Sequence, residues 1–450
     1  MKIAVIGSGI SGLGAAWALS RVHEVTLFEA QATLGGQART VEVETGSARM
    51  PVDLRPMIFN DLSHPALGSA LRALGVLTQP GNLSVSMSND REQSGYSRAP
   101  RKLFSRARER LSPGNWALMR EIAAFDRRAR QLMAEPMLAR LSLGDFLDAG
   151  DFSETLARNH ILPIAAAIWA TSPAQTLAFP AQTLTQMFAN HGFIDLARRP
   201  EWHTVSGGSR EFVKRLSESI RGRIITEAPI VRIERMRTSI NVRDERGREN
   251  IFDHLVMALP ADRSLAILGA GATRRERAIL SCFKRQDCEA YLHCDASLMP
   301  RARCAWKSAN IIATRDSADG QPAFVSYWMN RLQNLPAKPL VFVTSNPPQR
   351  PDPHMTFLQY RWRRALFDAR AMTAQAQLSI IQGADRIWFC GAWAGYGIAE
   401  DGLASGLSVA KALGAPAPFA EQIIHRSPAD ANCRPEPIVA AMPSAWRFGE

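Results

Sequence analysis

A short apolar run, Ile3 to Ile6, ends in Gly7-Ser-Gly9-Ile-Ser11-Gly12, and an alanine- and leucine-rich stretch follows at once. No other part of the chain restricts the fold as much. The run is long enough for one buried parallel strand, and the glycines have GxGxxG spacing. Gly7 allows a tight turn. Gly9 lets backbone approach a pyrophosphate, and Gly12 lets the following helix pack close to the strand. The helix start, which includes Ser11, offers unpaired N–H groups and a positive dipole end to phosphates. A second apolar run ends on Glu29, 17 residues after Gly12, where a carboxylate can accept hydrogen bonds from ribose hydroxyls. A lone GxGxxG is weak; strand, glycines, helix and acidic strand end together specify a dinucleotide site.

Leu34-Gly35-Gly36-Gln37-Ala-Arg39 follows closely. It resembles the second half of the FAD signature in the flavin amine oxidase and phytoene desaturase superfamily, where a residue at the Arg39 position lies against the FAD phosphates. FAD is therefore the expected cofactor, ahead of NAD. At 450 residues the chain exceeds one typical domain. The resemblance implies an α/β fold: a Rossmann-type FAD-binding domain assembled from discontinuous segments, with an inserted, amine-oxidase-like α+β substrate domain of mixed sheet and helices. The expected FAD-binding segments are 1–60, 205–260 and 385–414. Residues 61–204 and 261–384 form the substrate domain, and the Pro-rich 415–450 reads as an irregular tail.

Six cysteines without a CxxC pair suggest a reduced, cytoplasmic compartment. The apolar N-terminus is explained as strand and phosphate turn rather than signal peptide. The longest apolar candidate, Ile161 to Ala170, contains Pro163 and falls short of the ~20 residues of a spanning helix. The nine histidines are scattered with no ligand spacing, so no metal is expected. Of the net charge of +12, a block from Arg98 to Arg140 carries +7. Within it, Asn115 to Glu135 reads as an amphipathic helix with Leu118, Ile122, Phe125, Ala129 and Leu132 on one stripe. That stripe packs on the domain's own core or lies on an anionic bilayer at its inner face, peripherally. A bare basic block equally attracts nucleic acid, a partner class the remaining motifs do not support. Pro80 to Pro100 reads as a polar loop.

Further stretches resemble a bacterial group of FAD-dependent oxidoreductases commonly encoded beside cyclopropane-fatty-acid-synthase-like methyltransferases. They are Ala167-Ile-Trp169, Asn190-His191-Gly192, Arg199-Pro200-x-Trp202 and Val205-x-Gly207-Gly208-Ser209-Arg210. Downstream are Leu292-His293-Cys-Asp295, Tyr327-Trp-Met-Asn330, Phe389-Cys-Gly391-Ala-Trp393 and Glu400-Asp401-Gly402-Leu403. The likeness runs from Lys2 to about Gly414. It implies that Met57 and Gly391 border the flavin, that Val231 offers backbone to the adenine, and that the Asp401, Gly402 and Leu403 amides approach the flavin pyrimidine ring. Asp53 and Phe59 match an Asp and an aromatic that the superfamily keeps beside the flavin. Three departures stand out: Arg55-Pro56 where a glycine is usual, Arg364-Ala365 for His-Pro, and Ile398-Ala399 for Phe-His.

The segment Cys288 to Cys294 alternates, and puts Glu289, Tyr291 and His293 on one face as candidate catalytic groups aimed into a substrate cavity. His191 is a further candidate proton acceptor. The resemblance implies a desaturase of methyl-branched unsaturated fatty acyl chains of phospholipids, on the route to furan fatty acids, with a lipid methyltransferase as functional partner. The rivals are a flavin amine oxidase and a non-catalytic flavoprotein assisting the methyltransferase. Amine oxidases generally keep a lysine on the strand corresponding to Glu289–Cys294, where this chain has none and Lys284 lies close.

Overall fold

The computed structural model describes residues 1–45, 48–89, 95–97, 113–134, 141–169, 171–194, 200–313 and 323–419. Its first strand, β1 (Lys2–Ile6), leads into helix α1 (Ile10–Leu19) and strand β2 (Glu24–Phe28). The chain then leaves this unit and builds helices α2 (Pro65–Ala73), α3 (Pro113–Ala134) and α4 (Ala181–Asn190). It returns with β3 (Arg223–Ile225) and β4 (His254–Met257), leaves again for β5 (Arg285–His293) and β6 (Thr356–Ala365), and closes with β7 (Ile387–Phe389) and α5 (Ala399–Ala412).

The five strands of the first sheet lie in the order β3-β2-β1-β4-β7, every pair parallel. Residues Ile3 to Ile6 are at most 4% exposed, as expected of strands covered on both faces. Three separate stretches of chain thus share one sheet, which matches the expected Rossmann-type architecture. A second, seven-stranded mixed sheet begins with β6 and β5 at one edge. It continues through Phe342–Ser345, Phe324–Trp328 and Ala309–Ala313 to Val85–Asn89 and Gly95–Ser97. The last two strands correct the reading of Pro80 to Pro100 as a loop. Val85–Asn89 is held by parallel pairing with Ala309–Ala313, a long-range partner that outweighs its serine-rich composition.

Helix α3 settles what its apolar stripe touches. Phe125 is fully buried, with the rings of Phe146, Phe152 and Phe188 within 6.3 Å, and Leu118, Ile122, Ala129 and Leu132 are buried with it. The stripe is spent inside the protein and is not free to enter a bilayer, which corrects that part of the amphipathic-helix expectation. Arg120, Arg127, Arg128 and Arg130 point to solvent. The rest of the basic block, 98–112 and 135–140, lies outside the described residues, as do Arg199 and the tail beyond 419. No helix among the described residues is long and apolar enough to cross a membrane.

Candidate active site

The GxGxxG turn is shaped by contacts that only hydrogen fits. Gly7 has φ of +100°, and a Cβ on Gly12 would lie 1.9 Å from the Gly7 carbonyl oxygen. Gly9 differs, because a Cβ there would meet nothing within 4 Å. Protein packing therefore does not require Gly9 to be bare, whereas a ligand pressed onto its backbone would. Gly9 precedes α1 without any side-chain cap, and the first intrahelical bond runs from Leu13 N–H to the Gly9 carbonyl. The N–H groups ahead of Leu13 are left for an anion. Glu29 stands at the end of β2, where its carboxylate accepts from Ser8 N–H at 2.9 Å, Ser8 Oγ at 2.6 Å and Gln31 N–H at 2.9 Å. A parallel bridge joins Gly35 to Gly9, so Gly7, Gly9, Ser11, Gly12, Glu29, Gly35 and Gly36 converge. Gln37 and Arg39 lie exposed beside them. Val231 sits at a register shift of its ladder and is 51% exposed.

The C-terminal helix completes this half. A Cβ on Gly406 would lie 2.1 Å from the Ser11 carbonyl oxygen, and Leu403 packs on Gly14. Asp401 accepts from Tyr396 N–H at 2.8 Å and Ile398 N–H at 3.1 Å, and burial pushes its carboxyl up to about 6. Glu400, whose role no local motif announces, accepts from the N–H groups of Ala66 and Leu67 at 2.8 Å each and so caps α2. Burial pushes it up to about 7. Gly391 N–H donates to Ser405 Oγ at 3.0 Å, and Met57 is buried with its carbonyl held by Thr204. Asp53 is fully buried and receives Thr40 Oγ1, Ser209 N–H and Ser209 Oγ. Phe59 is likewise buried, against His203.

The candidate catalytic groups separate. On β6, residues 357, 359, 361 and 363 are exposed, while 358, 360, 362 and 364 face inward. Pairing places Cys288 opposite Trp362 and Ala290 opposite Tyr360 on the inward face, and Glu289 opposite Arg361 on the outward face. Glu289 accepts from Gln359 Nε2, and its oxygen lies 3.5 Å from Arg361. Tyr291 shares that face, where burial and the neighbouring Glu289 raise its pKa. His293 is wholly buried against Phe342, bonds Thr344 Oγ1 at 2.7 Å, and is pushed down to about 4 by burial. The expectation that Glu289, Tyr291 and His293 face a substrate cavity is therefore corrected. Strand alternation gives two faces but not which one is inward.

His191 lies elsewhere, at the end of α4. Its Nδ1 is 2.9 Å from the Met187 carbonyl, which can only accept, so Nδ1 carries the proton and Nε2 keeps a lone pair. Burial holds its pKa below the ordinary value, with Arg364 adding to this against the Met187 bond. It shares its surroundings with Arg55, Tyr327, Tyr360, Trp362 and Arg364. His191, Arg55, Tyr327, Tyr360 and Arg364 are all half-buried, and the Arg364 charge acts on each of the other four. Tyr360 donates its hydroxyl to the Leu54 carbonyl, tying β6 to the segment that carries Arg55. In the sequence Arg55 and Arg364 are only departures from the superfamily pattern; their convergence needs the fold. No group of metal-binding side chains occurs among the described residues.

A glycine cradle at the C-terminal end of the central strand of a five-stranded parallel sheet, beside a second sheet that carries a half-buried wall of aromatic and basic side chains, defines a dinucleotide-dependent oxidoreductase. A family model for flavin containing amine oxidoreductases matches residues 10–271, and the chain belongs to that family. AofH of Mycobacterium tuberculosis, named as a flavin-containing monoamine oxidase, is 24% identical over 278 residues. The match takes in 59% of this chain and 58% of that relative's length. Cyclohexylamine oxidase from Brevibacterium oxydans superposes with a TM-score of 0.66 at 17% identity, covering 94% of this chain and 99% of that one. A fatty acid isomerase from P. acnes gives 0.64 at 15% identity, covering 90% and 96%. At these identities the two structures establish the amine-oxidase-like fold. The cofactor is FAD, and the protein is a FAD-dependent oxidoreductase. The open face of Gly9, the uncapped start of α1 and the anchored Glu29 carboxylate fit its pyrophosphate and ribose.

Proposed function

We propose that the protein desaturates methyl-branched, already unsaturated fatty acyl chains of phospholipids, producing a diene on the route to furan fatty acids. FAD, when bound, supplies a two-electron acceptor. The chain itself has to seat an allylic C–H, whose departing hydride leaves delocalised positive charge, and to remove a proton. His191 is the proposed acceptor. Its Nδ1–H is fixed on Met187, burial keeps the ring neutral, and Nε2 is free to take the proton.

The observation that carries this reading is the sign of the charge beside His191. Among the described residues no carboxylate pairs with Arg55 or Arg364, while Glu400 and Asp401 are bound to backbone N–H groups. An ammonium substrate would meet two cations and no counter-charge, which is costly in an enclosed space. Family membership and the name of AofH favour amine oxidation as the second reading. Lys284, the lysine nearest β5, is exposed. The decisive test is anaerobic mixing of the yellow protein with methylated monounsaturated phospholipid and, separately, with amines. Bleaching by the lipid alone supports the proposal, and bleaching by an amine alone removes it. Deletion of the gene should cause methylated monounsaturated chains to accumulate. The solvent-facing arginines of α3 support a peripheral contact with an anionic, inner membrane surface, beside a lipid methyltransferase. Sedimentation with anionic against neutral vesicles tests the contact.

A further inference from the structure

Trp362 is clasped by two guanidiniums. Arg55 Cζ lies 4.0 Å from the indole centroid and Arg364 Cζ 4.6 Å from it. Stacking on a ring is attractive, but it leaves the in-plane N–H donors of each guanidinium unused. Arg364 makes one long bond, Nη1 to the Ala167 carbonyl at 3.4 Å, and its buried Nε has no partner. The buried Nε1 of Trp362 has none either. Arg55 makes no hydrogen bond or ion pair with any described residue. One small region therefore holds two buried donors without a partner, Arg364 Nε and Trp362 Nε1, beside a second, half-buried guanidinium that has no carboxylate partner among the described residues.

Buried polar groups are almost always satisfied, and unpaired buried cations are costlier still. The two arginines also repel each other: burial and the Arg364 charge together hold Arg55 down to about 10. Such an arrangement persists when an anion supplies the missing acceptors. The donors are planar and forked, and so match an oxygen pair on one centre.

We infer that Arg55, Trp362 and Arg364 form a binding site for the oxyanion of the substrate, a free carboxylate or a headgroup phosphate carried with an apolar chain. This deepens the proposed function, and rests on reading the space beside His191 as the substrate site. It means that the chain is presented with the anionic group of its lipid clamped, which fixes the distance from that group to the carbon facing the flavin. A free fatty acid would offer the carboxylate, and a lipid headgroup the phosphate.

Four probes built on a ten-carbon chain separate the possibilities: decanoate, decyl phosphate, decylamine and methyl decanoate. Each is added to the FAD-loaded protein, and its affinity is read from the saturable rise in thermal midpoint. Decanoate or decyl phosphate should bind, with decylamine and the ester at least about tenfold weaker. Decanoate alone identifies a carboxylate source, and decyl phosphate alone a headgroup. Arg364→Gln and Arg55→Gln should each keep their flavin and lose about tenfold or more in affinity for the preferred anion. An ester that binds as tightly as the anions, or unchanged anion affinity in either variant, overturns the site. If a variant yields no flavoprotein, the ranking of the four probes on the wild-type protein decides alone. Bleaching by methylated phospholipid without any anion preference would sink the oxyanion site and leave the desaturase reading standing. Anion preference without bleaching would do the reverse.

Discussion

The cofactor half and the wall around Trp362 are built from different materials. The cradle is mostly backbone: bare glycines, an uncapped helix start and a single carboxylate tied down by Ser8. The wall is all side chain, set by which face of β6 turns inward and by what Arg55 and α4 bring to it. Backbone chemistry is the same for every residue, so a cradle tolerates no added atoms but recurs across many substrates. A side-chain wall can be rewritten by a few substitutions without disturbing the sheets beneath.

This contrast can be broken in four places. Gly12→Val puts atoms where a Cβ alone would sit 1.9 Å from a carbonyl oxygen, so the expected result is a protein without stoichiometric flavin, read as the absorbance ratio after purification. His191→Gln should keep its flavin and slow substrate-dependent bleaching by roughly 10²–10⁴-fold in stopped flow; a change under threefold would remove His191 as the proton acceptor. The third test is pH. Burial raises Glu400 from 4.5 to about 7 and Asp401 from 3.8 to about 6. Their protonated forms favour the folded state fully at and below about pH 4, and that contribution is lost as pH rises through 6 to 7. Thermal midpoints should fall over this window, by on the order of 1–3 kcal/mol in stability, and Glu400→Gln should flatten the profile. Smallest of all, Glu289→Gln, on the outward face of β5, should change turnover less than twofold. A large loss there would restore the outward face as the site of chemistry.

The cradle was readable from the chain because its signal is local. Gly7, Gly9, Gly12 and Glu29 lie within one β-α-β unit, and their spacing carries the geometry. The wall was not. Glu289, Tyr291 and His293 were grouped correctly on one strand face, but only the pairing of β5 with β6 and the packing of Phe342 on His293 decide that this face looks away. Arg55 and Arg364 are 309 residues apart, and nothing in either neighbourhood announces a shared indole. Asp53 carried a motif-like signal yet is consumed by Thr40 and Ser209, a partner far along the chain. Val85–Asn89 failed for the same reason, since its strand pairing comes from Ala309–Ala313.

The packing of α1 on α5 sets a schedule for synthesis. The glycine turn leaves the ribosome about 390 residues ahead of Gly406 and Leu403, which back onto Ser11 and Gly14. At about 5–20 residues per second, some 20–80 s pass between the two. Through that interval β1 lacks its neighbour β4 until residue 257 emerges, and the apolar side of α1 lacks its cover until α5 arrives. The nascent chain therefore carries this unit open until α5 emerges. Flavin capture becomes a post-translational event, so scarcity of FAD would act on freshly released chains rather than on those already closed.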